Sequence, residues 1–198
     1  MRATLVIVAI FLASFIAGGA YALRAAGVIG NAGYAADIDI DGWRANPLIG
    51  TQAADPRTRA YVARRGLMAL SQSEVVYFVN AADSEGRPLL EACAYEVSGG
   101  AMPAGWWSIT LYDEDSRLPL NDDDALSINA EAAGDADWTV RISTTRPSGD
   151  GLWLSSRNAS QFDLTLRLYR PEGDAAGLAA SDWTPPRISR LQCRGDQA

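Results

Sequence analysis

Hydrophobic positions along the chain follow two patterns, and the first is an unbroken apolar run near the N-terminus. Residues 3–23 carry apolar or small side chains throughout, between Arg2 and Arg24. A helix of this length spans about 30 Å, the thickness of the hydrocarbon core of a bilayer. The run therefore predicts a transmembrane anchor. The alternative is a secretory signal cleaved near Ala22, because the Ala-Tyr-Ala at 20–22 is typical of a cleavage site.

The second pattern is the alternation of apolar and polar positions that a β-strand produces, since side chains on a strand switch faces at each residue. After the paired tryptophans, Trp107, Ile109 and Leu111 fall on one face and the intervening positions on the other. Similar runs predict strands at residues 73–80, 89–97, 126–129, 138–143, 152–154 and 162–169. The first two are separated by a polar turn and predict a hairpin. These short strands, with no helices between them, indicate a mainly β fold, an antiparallel sandwich of the jelly-roll type.

One short amphipathic helix precedes the strands. Asp55 and Pro56 are typical of a helix N-cap and of the first helical position. An apolar stripe follows at helical spacing, formed by Ala60, Ala63, Leu67 and Leu70. The other sides carry Arg57, Tyr61, Arg64 and Arg65. We expect these arginines to be solvated, and anionic lipid head groups are the alternative partner.

These patterns divide the chain into a transmembrane anchor or signal at 3–23, a linker or arm at 24–52, and a β-sandwich domain at 53–198. In the linker, residues 37–42 copy the first half of a calcium-binding loop. Leu48 stands where such a loop needs a bidentate glutamate. A short edge strand with its aspartates in water is therefore favoured over a calcium loop, and no metal site is predicted.

Composition narrows the range of functions. The chain has 198 residues and a net charge of −7. This excludes a nucleic-acid partner, because phosphate binding needs a basic stripe. All 17 basic side chains are arginine, and histidine is absent. Histidine-dependent triads, His-ligated zinc and lysine Schiff bases are therefore excluded, and no cofactor is predicted.

Aromatic and arginine side chains on the predicted strands favour a non-catalytic binding module. Trp106 and Trp107 point to opposite faces of their strand, so one is expected in the core and the other on the surface. An exposed tryptophan offers a platform for a sugar ring or an acyl chain. With Arg141, the two tryptophans are the predicted contacts for a glycan, lipid or protein ligand.

The alternative is a small hydrolase or lyase that works without histidine. Its candidate residues are Glu96, Asp113 and a tyrosine, Tyr77 or Tyr95. Such an enzyme needs two acids that converge in a pocket, and Glu96 would have to approach Asp113 across strands. The spacing along the chain places no acid pair, so the binding module is favoured.

An ordered set of short motifs carries a family resemblance over roughly residues 53–193. The motifs are YFVN at 77–80, DSEGRPL at 83–89, WSITLYD at 107–113, DWTV at 137–140, LWL at 152–154, LTLRLY at 164–169 and PPRI at 185–188. Together they resemble the domain of unknown function 1214 (DUF1214), which is also found joined to the domain of unknown function 1254. The resemblance implies a jelly-roll-like sandwich in the bacterial envelope. It implies no catalytic residues.

The two cysteines bear on the cellular location. In an exported domain, Cys93 and Cys193 predict a disulfide that closes a loop of about 100 residues. The alternative is a small core residue at Cys93 and a free thiol at Cys193. With the anchor, the predicted location is the inner membrane, in a single pass, with the domain facing the periplasm. Secretion after cleavage near Ala22 is the alternative.

Overall fold

The computed structural model describes residues 2–25, 37–65, 67, 70–134 and 136–194. In these residues the helices are α1 (Arg2–Ala25), α2 (Pro56–Arg64), α3 (Ala130–Ala133) and α4 (Ala175–Ala179). The strands are β1 (Ile38–Ile40), β2 (Trp43–Ala45), β3 (Val75–Asn80), β4 (Cys93–Gly99), β5 (Ala104–Asp113), β6 (Ser127–Asn129), β7 (Trp138–Ser143), β8 (Leu152–Ser155), β9 (Phe162–Pro171) and β10 (Arg187–Cys193). Part of the predicted linker, residues 26–36, lies outside the described residues.

The apolar run at the N-terminus forms the predicted long helix, α1. The helix is long and apolar enough to cross a membrane. Its large side chains are exposed, as at Phe11 and Tyr21, where 71% and 77% of the surface is accessible. An exposed helix without a polar face fits a single-pass anchor or a signal sequence.

The strands form two sheets that share one hydrophobic core. The larger sheet has the order β1-β2-β3-β9-β5-β6, and the smaller has the order β10-β4-β7-β8. Phe78 and Leu166 of the larger sheet lie in the same buried cluster as Val97 and Ile142 of the smaller one. The predicted mainly β fold, with two packed sheets and few helices, is confirmed.

One strand pair departs from the predicted antiparallel arrangement. β7 and β8 run parallel, with Val140 opposite Leu152. Residues 144–151 carry the chain back past β7 before β8 begins, so both strands point the same way. The two strands are close in sequence, and a tight turn would have made them antiparallel.

β5 keeps the predicted alternation and packs the two sheets together. Trp107 is 5% exposed, and Ile109 and Leu111 are fully buried. The Trp107 ring stacks on Trp138 of the smaller sheet, with the ring centroids 4.9 Å apart. Trp107 is therefore the core tryptophan of the pair, as the alternation allowed.

The predicted hairpin between residues 73–80 and 89–97 is wrong. β3 pairs with β9 in the larger sheet, whereas β4 pairs with β7 and β10 in the smaller one. Every residue of β3 is buried, which suits an interior strand with neighbours on both edges and cover on both faces. The turn after β3 closes locally, through a bridge between Ala82 and Pro88, and the chain then crosses to the other sheet.

Helix α2 begins at the predicted residue, but it is shorter than predicted and one of its arginines is paired. The Asp55 carboxylate accepts a hydrogen bond from the Thr58 amide at 2.7 Å, as expected of an N-cap. The helix ends at Arg64, so the predicted stripe is cut short before Leu67. Arg65 is not solvated, because its Nη1 lies 2.8 Å from the Asp163 carboxylate of β9.

The calcium-like segment at 37–42 forms a hairpin between β1 and β2. Asp41 and Gly42 have φ values of 50° and 86°, the left-handed conformation that a two-residue hairpin turn requires. The Asp39 carboxylate accepts a hydrogen bond from the Gly42 amide. β1 is an edge strand with Asp39 exposed, so the favoured interpretation is confirmed. Trp43 of β2 is fully buried, and residues 38–45 of the arm thus add two strands to the larger sheet.

Candidate functional site

A cleft of about 590 Å³ lies on the face of the smaller sheet that points away from the core. Its floor includes Ala94 of β4 and Ser143 of β7, which alternate with the buried Tyr95 and Ile142. Small side chains at these two positions leave the depression open. Residues 144–147 form one wall, and the end of β10 forms the other.

Three arginines line the cleft. Arg141 comes from β7, Arg146 from the returning segment and Arg194 from the residue after β10. The guanidinium of Arg146 lies 5.7 Å from the centroid of the Trp153 ring, a cation–π contact. The cleft is thus positively charged in a chain whose net charge is −7.

Among the described residues, the lining contains a single carboxylate, that of Glu91. Glu91 Oε1 lies 3.9 Å from Arg194 Nη2, and Glu91 Oε2 accepts a hydrogen bond from the Ser160 amide at 3.1 Å. Glu96 stands directly opposite Arg141 in the β4–β7 register. Within the described part of the chain, however, no carboxylate forms an ion pair with Arg141.

A disulfide closes one end of the cleft. Cys93 and Cys193 stand directly opposite each other on β4 and β10, with their Cα atoms 3.9 Å apart. The amide of Arg194 donates a hydrogen bond to the Ala92 carbonyl at 2.7 Å. The bridge and this hydrogen bond together place Arg194 beside Glu91.

The three predicted ligand-binding residues do not form one site. Arg141 lines the cleft on the smaller sheet. Trp107 lies in the core, and Trp106 lies half-buried on the outer face of the larger sheet. There its ring meets the Tyr169 ring edge-on, with the centroids 5.1 Å apart.

The candidate catalytic residues are also separated. Glu96 lies on the smaller sheet, and Asp113 lies on the larger sheet at the end of β5. The Asp113 carboxylate accepts hydrogen bonds from the amides of Asp115 and Arg117, which close a turn. Tyr77 packs in a second apolar cluster beside α2, where burial raises its pKa. The approach of Glu96 to Asp113 that the hydrolase alternative requires is not seen, because their strands belong to different sheets.

Arg146 and Arg194 were not singled out by the sequence patterns. Arg146 lies in a loop, and Arg194 follows the last strand, so neither stands at a strand position that alternation would mark. The predicted bridge to Cys193 was the one signal that the end of β10 reaches β4. The convergence of Arg146 and Arg194 with Arg141 depends on the strand order β10-β4-β7, and local sequence patterns do not contain this order.

The family model described as "Protein of unknown function (DUF1214)" matches residues 74–173. The chain belongs to the DUF1214 family. The resemblance carried by the sequence motifs is thus confirmed. The matched region runs from the start of β3 to the end of β9 and includes Arg141 and Arg146. Cys193 and Arg194 lie beyond it.

One solved structure supports the fold of this DUF1214 protein, and a second is similar at a lower level. The VPA0106 protein from Vibrio parahaemolyticus is similar over 71% of this chain and 36% of that chain, with 22% identity and a TM-score of 0.54. An uncharacterized protein from Burkholderia cenocepacia is similar over 77% and 34%, with 14% identity and a TM-score of 0.47. The chain spans about a third of the length of these proteins. A comparison with curated proteins gives no match.

Proposed function

We propose that this DUF1214 protein is a membrane-tethered, non-catalytic binding module of the bacterial envelope, and that its cleft holds an anionic ligand. The observation that carries the proposal is the set of Arg141, Arg146 and Arg194 around a cavity of about 590 Å³, whose described lining contains one carboxylate. A cavity of this size is in the usual range for small-molecule sites.

The chemistry of arginine defines the class of ligand. A guanidinium presents a planar fork of N–H donors that matches the oxygens of a phosphate, sulfate or carboxylate group. Arg141 is half-buried and forms no ion pair among the described residues, although Glu96 stands opposite it on β4, so an oxyanion can accept hydrogen bonds from its guanidinium. The ligand group is therefore an oxyanion carried by a lipid head group, a glycan or a protein.

A binding role is favoured over the hydrolase or lyase because the acids of the enzyme hypothesis do not converge. Glu96 faces outward beside Arg141, and Asp113 closes a turn on the other sheet. A carboxylate mechanism needs an acid and a base within reach of one substrate.

Replacing Arg141 with glutamine is expected to weaken the binding of inorganic pyrophosphate by about tenfold or more, because one charge-assisted hydrogen bond is lost. Isothermal titration calorimetry on the full-length protein in phosphatidylcholine nanodiscs measures this. Arg187→Gln is the matched control, since Arg187 is an exposed arginine of β10 outside the cleft lining. Equal losses in both variants, or none in Arg141→Gln, would contradict the proposed site.

The tether is proposed to be residues 3–23, followed by the arm at 24–52 and the binding domain at 53–198. The domain is proposed to face the periplasm, and the cystine supports this because disulfides persist in oxidising compartments. We expect the mature protein to sediment with membranes and to keep its first 23 residues. The intact mass of the membrane-extracted protein checks this expectation. A mass that corresponds to a start just after Ala22 would show a cleaved signal instead.

A further inference from the structure

A second set of polar and aromatic side chains lies on the outer face of the larger sheet, away from the cleft. On β5 and β9, Trp106 stands opposite Tyr169, Ser108 opposite Arg167, and Tyr112 opposite Asp163. Trp106, Tyr112, Arg167 and Tyr169 are all partly exposed. These four residues are called the aromatic face below.

Arg167 is a half-buried cation whose described hydrogen-bond partners are neutral. Its Nη1 donates to Thr110 Oγ1 at 3.0 Å, and its Nη2 donates to the Tyr112 hydroxyl at 2.7 Å. Its guanidinium lies 5.5 Å from the centroid of the Tyr112 ring. The buried acid of this face, Asp163, is paired with Arg65 instead. Among the described residues Arg167 forms no ion pair, and a carboxylate ligand would supply the counter-charge.

The surroundings of Arg167 favour a sugar over other anions. Beside Arg167, the neutral side chains of Ser127 and Asn129 are exposed or partly exposed and can donate or accept hydrogen bonds, whereas Ser108 and Thr110 are buried. The rings of Trp106 and Tyr169 add apolar surface at one end of the aromatic face. Tyr112 lies six positions after Trp106 on the strand, a distance of about 20 Å that several linked sugar units would span.

An extended peptide is disfavoured on this face. β9 is hydrogen-bonded to β3 on one side and to β5 on the other, and β5 is also paired with β6. A peptide that adds as a strand needs an open sheet edge, and the middle of the sheet offers none. Side chains alone are presented to the ligand here.

We propose that the aromatic face binds an acidic glycan. A carboxylate of one sugar unit pairs with Arg167 beside Tyr112, and a neighbouring unit packs on Trp106 and Tyr169. The proposal does not depend on the cleft, because the two sites lie on different sheets and share no residue.

The test is calorimetric titration of the full-length protein in phosphatidylcholine nanodiscs with trigalacturonic acid. Arg167→Gln is expected to weaken binding by about tenfold or more, since glutamine keeps a hydrogen-bonding group but loses the charge. Trp106→Ala is expected to weaken binding about fivefold, through lost ring contact, and provides a second variant at a partly exposed position. Arg187→Gln, at an exposed arginine of β10 outside the cleft and the aromatic face, is the control and should bind as the unchanged protein does.

Three outcomes would overturn the proposal. The first is the absence of binding at millimolar trigalacturonic acid. The second is equal binding of triglutamate, which would indicate an acidic peptide or general charge attraction. The third is a loss in Arg141→Gln with none in Arg167→Gln, which would assign the acidic sugar to the cleft. A failure of pyrophosphate binding with trigalacturonic acid binding intact would instead reject the cleft alone.

Discussion

Asp83→Ala is expected to lower the free energy of unfolding by about 3–5 kcal/mol, the usual effect of removing one partner of a buried ion pair. The Asp83 side chain is fully buried, and its Oδ2 lies 2.9 Å from Nε of both Arg87 and Arg190. Its Oδ1 accepts hydrogen bonds from the amides of Glu85 and Arg87, both at 3.0 Å. Alanine would leave Arg190 buried without its counter-ion and would free the turn from β10. Chemical denaturation followed by tryptophan fluorescence measures the loss.

Asp113 provides a matched control for Asp83. Residues 113–117 repeat the turn of residues 83–87, with an aspartate first, an arginine last and the same two amide hydrogen bonds. In the described structure, no second arginine pairs with Asp113 in the way that Arg190 pairs with Asp83. Asp113→Ala should therefore cost only about 1 kcal/mol. Similar losses in the two variants would show that the turn, and not the buried ion pair, accounts for the effect.

The Asp83 carboxylate also makes the stability of the fold depend on pH. Burial raises the pKa of Asp83, but hydrogen bonds from Arg87 and Glu85 and the charge of Arg190 outweigh burial and hold the pKa below its ordinary value. The stabilisation is therefore complete above the unfolded pKa, near 4, and is lost as the pH falls through the lower folded pKa. We expect Asp83→Asn to remove this part of the acid sensitivity, which a denaturation series across that range would show.

Removing the disulfide by Cys93→Ala with Cys193→Ala is expected to lower the free energy of unfolding by about 2–5 kcal/mol. The bridge joins residues 100 positions apart, and a cross-link of that length strongly restricts the unfolded chain. It also holds the end of β10, an edge strand whose one partner in the described sheet is β4. Denaturation of the oxidised protein and of the double variant measures the difference.

Reduction of the unchanged protein is the control for the disulfide prediction. If the cross-link is the cause, reduced protein and the double variant should unfold at the same denaturant concentration. A double variant as stable as the oxidised protein would contradict the prediction. A variant weaker than the reduced protein would show that packing of Cys93, which is 4% exposed, contributes separately.

Individual strands were predictable because the alternation of side chains is a local property. β7 covers residues 138–143, as predicted, and β5 buries the predicted face. Their partners were not predictable in the same way. Residues 73–80 and 89–97 look like a hairpin because a polar turn separates them, yet their strands pair with segments far away in the chain.

Long-range pairing also explains the errors at single residues. The expectation that Arg65 is solvated is wrong because its partner, Asp163, comes from β9 and not from its own helix. Glu96 and Asp113, which the hydrolase alternative needs together, lie on strands of different sheets. Which acid meets which arginine is set by the order of strands in each sheet, and a period of two residues carries no information on that order.

The sequence by itself determined the apolar helix, the positions of most strands, the mainly β fold and the family, because these depend on hydrophobic period, length and motif order. Only the tertiary structure decided how the strands divide between two sheets and which side chains converge. It brought Arg146 and Arg194 to Arg141, and it separated Trp106 from that cleft. The physical reason is that convergence depends on register between distant segments, where burial and charge neutralisation across the whole domain choose the partners.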